Sequence, residues 1–215
     1  MALDSSLTID YGLTMLATLR SRKLADARRA LFEAAMELFR ERGFDETTVE
    51  EIAAHAGFSR ATFFNHFGSK AAVLLYFGEH VAGVMEATLA AARPRTPPLE
   101  RLRRVLLAMA REAEGSREDW RIVFTYSLRD PDFLVVPTPA RQRFVETVTG
   151  LLAEAQGLGQ ARKDLGATEQ AAQVVALYKF AVMSVVIEGR SAKAAIATAW
   201  RFAEGGIHGR DPEAR

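Results

Sequence analysis

The stretch FDETTVEEIAAHAGFSRATFFNHFGSK, residues 44–70, decides the fold of this chain. Thr47 and Thr48 are each followed three residues later by a glutamate, so a capping box can begin a short helix in either register. Gly57 then ends this helix and Ser59 caps the next one. Two short helices joined by a glycine-containing turn form a helix-turn-helix, whose second helix enters the major groove of DNA. The stretch therefore predicts a DNA-binding motif.

The spacing of the apolar residues gives this motif a buried face and an exposed face. Its core is predicted to contain Ile52, Ala53, Ala56, Phe63 and Phe67, packed on Leu31, Ala35 and Leu38 of the preceding helix. The residues left pointing outward from the second helix are Arg60, Ala61, Phe64 and Asn65. We predict that these four read bases, since arginine pairs with guanine and an exposed phenylalanine can contact the methyl group of thymine.

Outward from this motif the chain is predicted to be helical, because apolar residues recur at helical spacing and no strand alternation is sustained. The prediction is an all-α fold of about nine helices, with an N-terminal three-helix helix-turn-helix domain followed by a larger helical effector-binding and dimerisation domain. The predicted boundaries are an N-terminal extension at 1–22, the DNA-binding domain at 23–70 and the effector-binding and dimerisation domain at 71–215.

Several short runs at fixed spacing resemble the DNA-binding domain of the TetR family of repressors. They are Phe44 to Val49, Ile52-Ala53, Ala56 to Ser59, Thr62 to Phe64, His66-Phe67 and Ser69-Lys70. The resemblance implies phosphate contacts from Thr48, Thr62, His66 and Lys70. Ser59 is a further candidate, because the free N–H groups at a helix N-terminus favour phosphate. The resemblance to the TetR family also implies a repressor that a ligand releases from its operator.

Two residues depart from the pattern of this family. Phe64 stands where most relatives have tyrosine, so a hydroxyl contact to phosphate is lost and an apolar contact remains. Ala61 stands where many have glycine, which places a methyl group at the floor of the groove. We expect these changes to alter sequence preference and to leave DNA binding intact.

Composition sets limits on the other functions. The chain has no cysteine, which excludes disulfides and thiolate chemistry, and its net charge of +1 does not by itself indicate a nucleic-acid partner. Asp4 and Asp10 stand where a signal peptide would be basic, and no compact apolar core follows them, so a cytoplasmic protein without a membrane partner is expected. No catalytic constellation or metal-ligand spacing is found, so we expect no enzyme activity, cofactor or metal, and a helical enzyme stays a distant alternative.

The penultimate predicted helix, from Thr168 to about Glu188, is apolar on almost every side and must be buried on every side. With the last helix it resembles the pair that forms a four-helix bundle between TetR-type subunits. The predicted dimer contacts are Val175, Val182, Val186, Ile196 and Trp200. The expected assembly is a two-fold homodimer that reads a palindromic operator with half-sites ~34–36 Å apart.

The second predicted domain has many more large side chains than the DNA-binding part needs, which favours a ligand pocket between its helices. Its predicted lining is Phe124, Tyr126, Phe144, Gln173, Tyr178, Phe180 and Ser184. The expected effector is small and apolar or aromatic. The alternative is a DNA-binding architectural or co-regulatory protein that senses no ligand.

Basic residues precede the helix-turn-helix, and two interpretations of them stay open. Arg20, Arg22, Lys23, Arg28 and Arg29 either follow the DNA as a basic arm or form a solvated helix face.

Overall fold

The computed structural model of the chain describes residues 5–130, 133 and 136–208, with side chains from residue 21 onward in these ranges. Every regular element within these ranges is a helix, so the predicted all-α fold is confirmed. The helices are α1 (Ser5–Arg42), α2 (Val49–His55), α3 (Arg60–His66), α4 (Lys70–Ala90), α5 (Pro98–Gly115), α6 (Arg117–Arg129), α7 (Pro139–Gly157), α8 (Ala167–Ile187) and α9 (Ala192–His208).

The first helix is longer than the sequence predicts. The apolar stripe that begins at Leu24 predicts a start near residue 23, whereas α1 begins at Ser5. Residues 5–22 contain no proline and are rich in good helix formers such as leucine and arginine. Because propagation of an existing helix is easier than nucleation, a helix formed further along extends through them. Residues 5–22 of the predicted extension and the helix after them are therefore one continuous element.

The chain divides into two compact units, with the division between Val73 and Leu74. In the first unit α2 packs against both α1 and α3. The buried side chains that join these helices are Leu31, Ala35, Leu38, Ile52, Ala53, Phe63 and Phe67. This is the core that the sequence predicts, except that Ala56 is only half-buried.

In the second unit α8 is the central helix, since α5, α6, α7 and α9 all pack against it. Its length and mean hydropathy of 1.6 would suit a membrane span, but 56% of its most apolar window is buried within the chain itself. Contacts with four other helices indicate that α8 is the core helix of this unit.

Candidate nucleic-acid interface

The turn between α2 and α3 has the geometry that a helix-turn-helix requires. Gly57 adopts a φ of +76°, a left-handed conformation that other residues rarely adopt. The Phe58 N–H then donates to the Ala53 carbonyl at 2.8 Å, which closes the end of α2. The chain can therefore turn sharply into α3.

Thr48 caps the N-terminus of α2, which settles the register that the sequence leaves open. The Glu51 N–H donates to Thr48 Oγ1 at 3.2 Å and the Thr48 N–H donates to Glu51 Oε2 at 2.8 Å. Hydrogen bonds from the backbone and then the side chain of Thr48, with the charge of Arg42, hold the pKa of Glu51 below its usual value. The other candidate, Thr47, is buried and donates to the Gly43 carbonyl at 2.8 Å. Because the Thr48 hydroxyl already donates to Glu51 Oε2, a phosphate there has to displace a carboxylate.

Ser59 caps α3, as predicted, and shares a hydrogen bond with the next candidate phosphate contact. The Thr62 N–H donates to Ser59 Oγ at 3.1 Å, and the two hydroxyl oxygens lie 2.9 Å apart. Only one of these hydroxyls can donate in that pair, so the other keeps its hydrogen for a phosphate oxygen. His66 lies half-buried in the last turn of the same helix.

The outer face of α3 is exposed in the manner that the spacing predicts. Arg60, Ala61, Phe64 and Asn65 are all exposed, while Phe63 is fully buried beneath them. The Arg60 guanidinium lies over the Phe64 ring, 5.4 Å from its centroid. This stacking restrains the arginine against the helix that is predicted to enter the groove.

Lys70, for which the resemblance implies a phosphate contact, binds backbone carbonyls of its own chain. Its Nζ donates to the carbonyls of Phe44 at 2.5 Å and Thr47 at 2.7 Å, with the Asp45 carbonyl at 3.3 Å. It also lies 4.3 Å from the centroid of the Phe44 ring. The three donors of the ammonium are directed at the loop after α1, so a phosphate contact would have to replace one of these bonds and it stays a prediction.

The predicted basic arm is exposed over its described side chains, Arg22, Lys23, Arg28 and Arg29. Arg29 donates to Asp26 at 3.2 Å, and Arg28 lies 5.1 Å from the centroid of the Phe67 ring. The side chain of Arg20 lies outside the described residues.

In the second unit, three of the residues predicted to line a ligand pocket bind locally or face outward. Tyr126 donates to Asp130 at 3.1 Å, Ser184 donates to the Ala181 carbonyl at 2.8 Å, and Phe180 is 62% exposed. These three predictions are corrected, because the side chains bind locally or face outward.

Three of the other predicted lining residues, Phe124, Phe144 and Tyr178, are linked through ring contacts and Glu112. The rings of Phe144 and Tyr178 lie 5.3 Å apart, and the Phe124 ring packs on Trp120. Gln173 is exposed and lines a separate groove between α8 and α9.

A half-buried polar cluster near Tyr178 was missed by the sequence prediction. Glu112 accepts hydrogen bonds from Trp120 Nε1 at 3.0 Å and Ser116 Oγ at 2.6 Å, and His80 Nε2 lies 3.4 Å from it. The Tyr178 hydroxyl is buried and has no hydrogen-bond partner among the described residues. Burial, and then the charge of Glu112, raise the pKa of Tyr178 well above its usual value.

A signal for this cluster was present in the sequence. Glu112 falls on the stripe of Val105 and Met109 at helical spacing, and a carboxylate in a buried stripe needs donors around it.

The predicted dimer contacts are also corrected. Val175, Val182, Val186, Ile196 and Trp200 are all buried within the chain itself. The large apolar side chains that these two helices expose are Phe180, Met183 and Ile187 on α8 and Phe202 on α9. The predicted face of α8 is covered by other helices of the same chain, and the participation of α8 and α9 in a dimer stays a prediction.

The all-helical fold, the tight turn between α2 and α3 and the exposed face of α3 are the features of a helix-turn-helix regulator. Residues 31–77 match the family described as bacterial regulatory proteins of the tetR family. The HTH-type transcriptional regulator TcmR of Streptomyces glaucescens is 34% identical over 142 residues, which are 63% of this chain and 55% of TcmR. The chain thus spans about half the length of that relative.

Two further comparisons extend over more of the chain. The HTH-type transcriptional repressor DhaR of Mycobacterium sp. (strain GP1) is 28% identical over 75% of this chain and 83% of its own length. The crystal structure of Thermus thermophilus FadR, a TetR-family repressor in complex with lauroyl-CoA, is 28% identical with a TM-score of 0.65 and covers 87% of this chain and 98% of that one. The matched segment, these relatives and the structural likeness support a TetR-family transcriptional regulator.

Proposed function

We propose that this chain is a cytoplasmic, homodimeric transcriptional repressor that binds a palindromic operator and is released from it by a small ligand. The observation that carries the proposal is the exposed face of α3, where Arg60 and Phe64 stack above the buried Phe63. Capped helices and a tight turn hold this face rigidly, which is what direct reading of base edges requires.

Arg60 reads a guanine in this proposal, with Ala61, Phe64 and Asn65 completing the contact with the bases. The phosphate contacts come from Thr62, Ser59 and His66. Lys70 and Thr48 act through the shape of the motif, since Lys70 fixes the loop after α1 and Thr48 caps α2. In this proposal the molecule consists of a DNA-binding domain and an effector-binding domain, which α4 links covalently.

The exposed apolar stripe on α8 supports the dimer. Phe180, Met183 and Ile187 follow one another at helical spacing, and Phe202 of α9 is 75% exposed. Clustered large apolar side chains on a surface mark a site of association. In this proposal the two copies of α3 in a two-fold dimer read the two half-sites of a palindrome.

The ligand site is proposed around Tyr178. Its buried hydroxyl has no hydrogen-bond partner within the described part of the chain, and its ring lies near Phe144 and the carboxylate of Glu112. A molecule with an apolar body and a hydrogen-bonding group would satisfy that hydroxyl. A bound effector in a relative supports the class of ligand, since the Thermus thermophilus FadR structure contains lauroyl-CoA. Release from DNA follows if the ligand prefers an arrangement of these helices other than the DNA-binding one.

The test begins with selection of binding sites from random duplex DNA by the purified protein. The proposal expects an enriched palindrome, bound as a dimer. Enrichment of a single half-site would contradict the dimer, and no enrichment at all would contradict sequence-specific reading.

A thermal-shift screen of apolar metabolites then tests the ligand, with operator release measured for every molecule that stabilises the protein. The variant Tyr178→Phe should weaken both effects. Molecules that stabilise the protein and never change operator affinity would favour the architectural protein that senses no ligand.

A further inference from the structure

A groove of about 360 Å³ lies between the start of α8 and the end of α9, and Tyr178 is not among its lining residues. Its apolar walls include Val174 and Leu177 of α8 and Phe202 and Ile207 of α9. This volume lies within the range of sites that hold small molecules. The groove is therefore large enough for a ligand and already formed in this state of the protein.

One buried side chain in this groove, that of Gln170, uses only one end of its amide in hydrogen bonds to the described residues. Gln170 is 3% exposed, and its Nε2 donates to the carbonyls of Arg162 at 2.9 Å and Leu165 at 3.4 Å. Since a carbonyl can only accept, these two bonds fix which end of the amide is nitrogen. The other end, Oε1, is buried and has no hydrogen-bond partner among the described residues. The groove thus presents an unused acceptor.

The charge in the groove is already neutralised. The guanidinium of Arg162 pairs with the carboxylate of Asp164 through two hydrogen bonds, so it is engaged before any ligand arrives. An anionic ligand would have to compete with that pair. A neutral molecule with an apolar body meets no such competition.

We infer that this groove is a second small-molecule site, for a neutral apolar or aromatic molecule that donates an N–H or O–H hydrogen bond to Gln170 Oε1. This inference goes beyond the proposed function, because it uses none of the residues of the Tyr178 cluster, but Phe202 belongs both to this groove and to the apolar face proposed for the dimer. A side chain of a second copy of this chain is the competing occupant. An apolar side chain such as phenylalanine would fill the groove and leave the acceptor unpaired, which disfavours it.

The test uses indole and 1-methylindole as probes, since they have the same aromatic body and only indole has an N–H. Binding is followed by NMR through the methyl groups of Val174, Leu177 and Ile207. Indole should shift these signals and bind about tenfold more tightly than 1-methylindole, the size of one hydrogen bond to a buried acceptor. Equal affinity of the two probes, or no shift of these methyl signals, would overturn the inference.

Two pairs of variants complete the test. Gln156 donates to the same carbonyls of Arg162 and Leu165, so Gln156→Leu is the matched control for Gln170→Leu. Only Gln170→Leu should abolish the preference for indole.

The second pair places a leucine either in the groove or beside it, at exposed glycines where the change is expected to leave folding intact. Gly206 lines the groove and Gly205 does not, and a Cβ added at either glycine meets nothing within 4 Å. Gly206→Leu should therefore block both probes, while Gly205→Leu should bind them normally. Sedimentation of the same samples shows whether a second copy fills the groove. If indole binds only to the monomer, a second copy of the chain fills the groove in the dimer, and the inference is overturned.

Discussion

The Nε of Arg60, the residue proposed to read the operator, lies 2.8 Å from Oε1 of Glu50 on the neighbouring helix α2. Both side chains are more than half exposed, so this ion pair is weak in water and can exchange for a contact with DNA. The unbound protein therefore holds its base-reading arginine against a carboxylate, and binding has to break that contact.

The first prediction is that Glu50→Gln raises operator affinity. The change releases Arg60 and removes a negative charge near the phosphates. The matched control is Glu46→Gln, which makes the same charge change at an exposed residue of the loop before α2. Fluorescence anisotropy should show a larger gain for Glu50→Gln, and the difference should vanish in an Arg60→Ala background. Equal gains would mean that only net charge matters.

The second prediction concerns the reading of sequence by Arg60. Arg60→Ala should weaken binding to the selected operator by about 1–3 kcal/mol and relax discrimination at one base pair in each half-site. A binding series over single-base operator variants measures both effects. Unchanged operator affinity would show that α3 is not in the register proposed here.

Lys70→Met should lower thermal stability and leave the salt dependence of DNA binding unchanged in protein that remains folded. The ammonium donates to the Phe44 and Thr47 carbonyls, and loss of these bonds should cost about 1–3 kcal/mol. Lys193→Met on the exposed face of α9 serves as the control for stability. A flatter salt dependence with unchanged stability would restore the phosphate contact that the sequence predicts.

Phe180→Glu should give monomers, because it places a charge in the exposed apolar stripe of α8. Operator affinity should fall by about 100-fold or more once the two half-sites are no longer linked. Leu128→Glu makes the same kind of change at a residue of α6 that is 80% exposed, and it should remain a dimer. Sedimentation velocity distinguishes the two, and an intact dimer of Phe180→Glu would remove this face from the interface.

Tyr178→Phe should make the protein more resistant to alkali. Burial raises the pKa of Tyr178 in the folded state, whereas an unfolded tyrosine ionises near pH ~10. The folded state therefore holds this proton more tightly, and stability falls as the pH rises above the unfolded value. Urea unfolding of wild type and variant should run in parallel below that pH and diverge above it. The control is Tyr76→Phe at a half-buried site, and parallel curves for Tyr178→Phe throughout would contradict the burial of an unpartnered hydroxyl.

The sequence by itself determined the local features of the DNA-binding motif. The Ser59 cap, the turn at Gly57 and the burial of Phe63 beneath Arg60 and Phe64 all depend on residues a few positions apart, whereas the choice of Thr48 over Thr47 as the cap of α2 came from the structure. Helix geometry fixes such relations, so spacing alone predicts them. The helix order of the second unit follows from the same periodicity.

Only the tertiary structure decided which partners distant residues have. Lys70 binds carbonyls that are 23 and 26 residues away, and Glu112 receives a hydrogen bond from a tryptophan on the next helix. An apolar pattern on all sides of α8 predicts its burial but not which face its own chain covers. Val182 lies in the core and Phe180 faces outward because α5, α6, α7 and α9 pack against the other sides of that helix, and periodicity carries no information about where those helices lie.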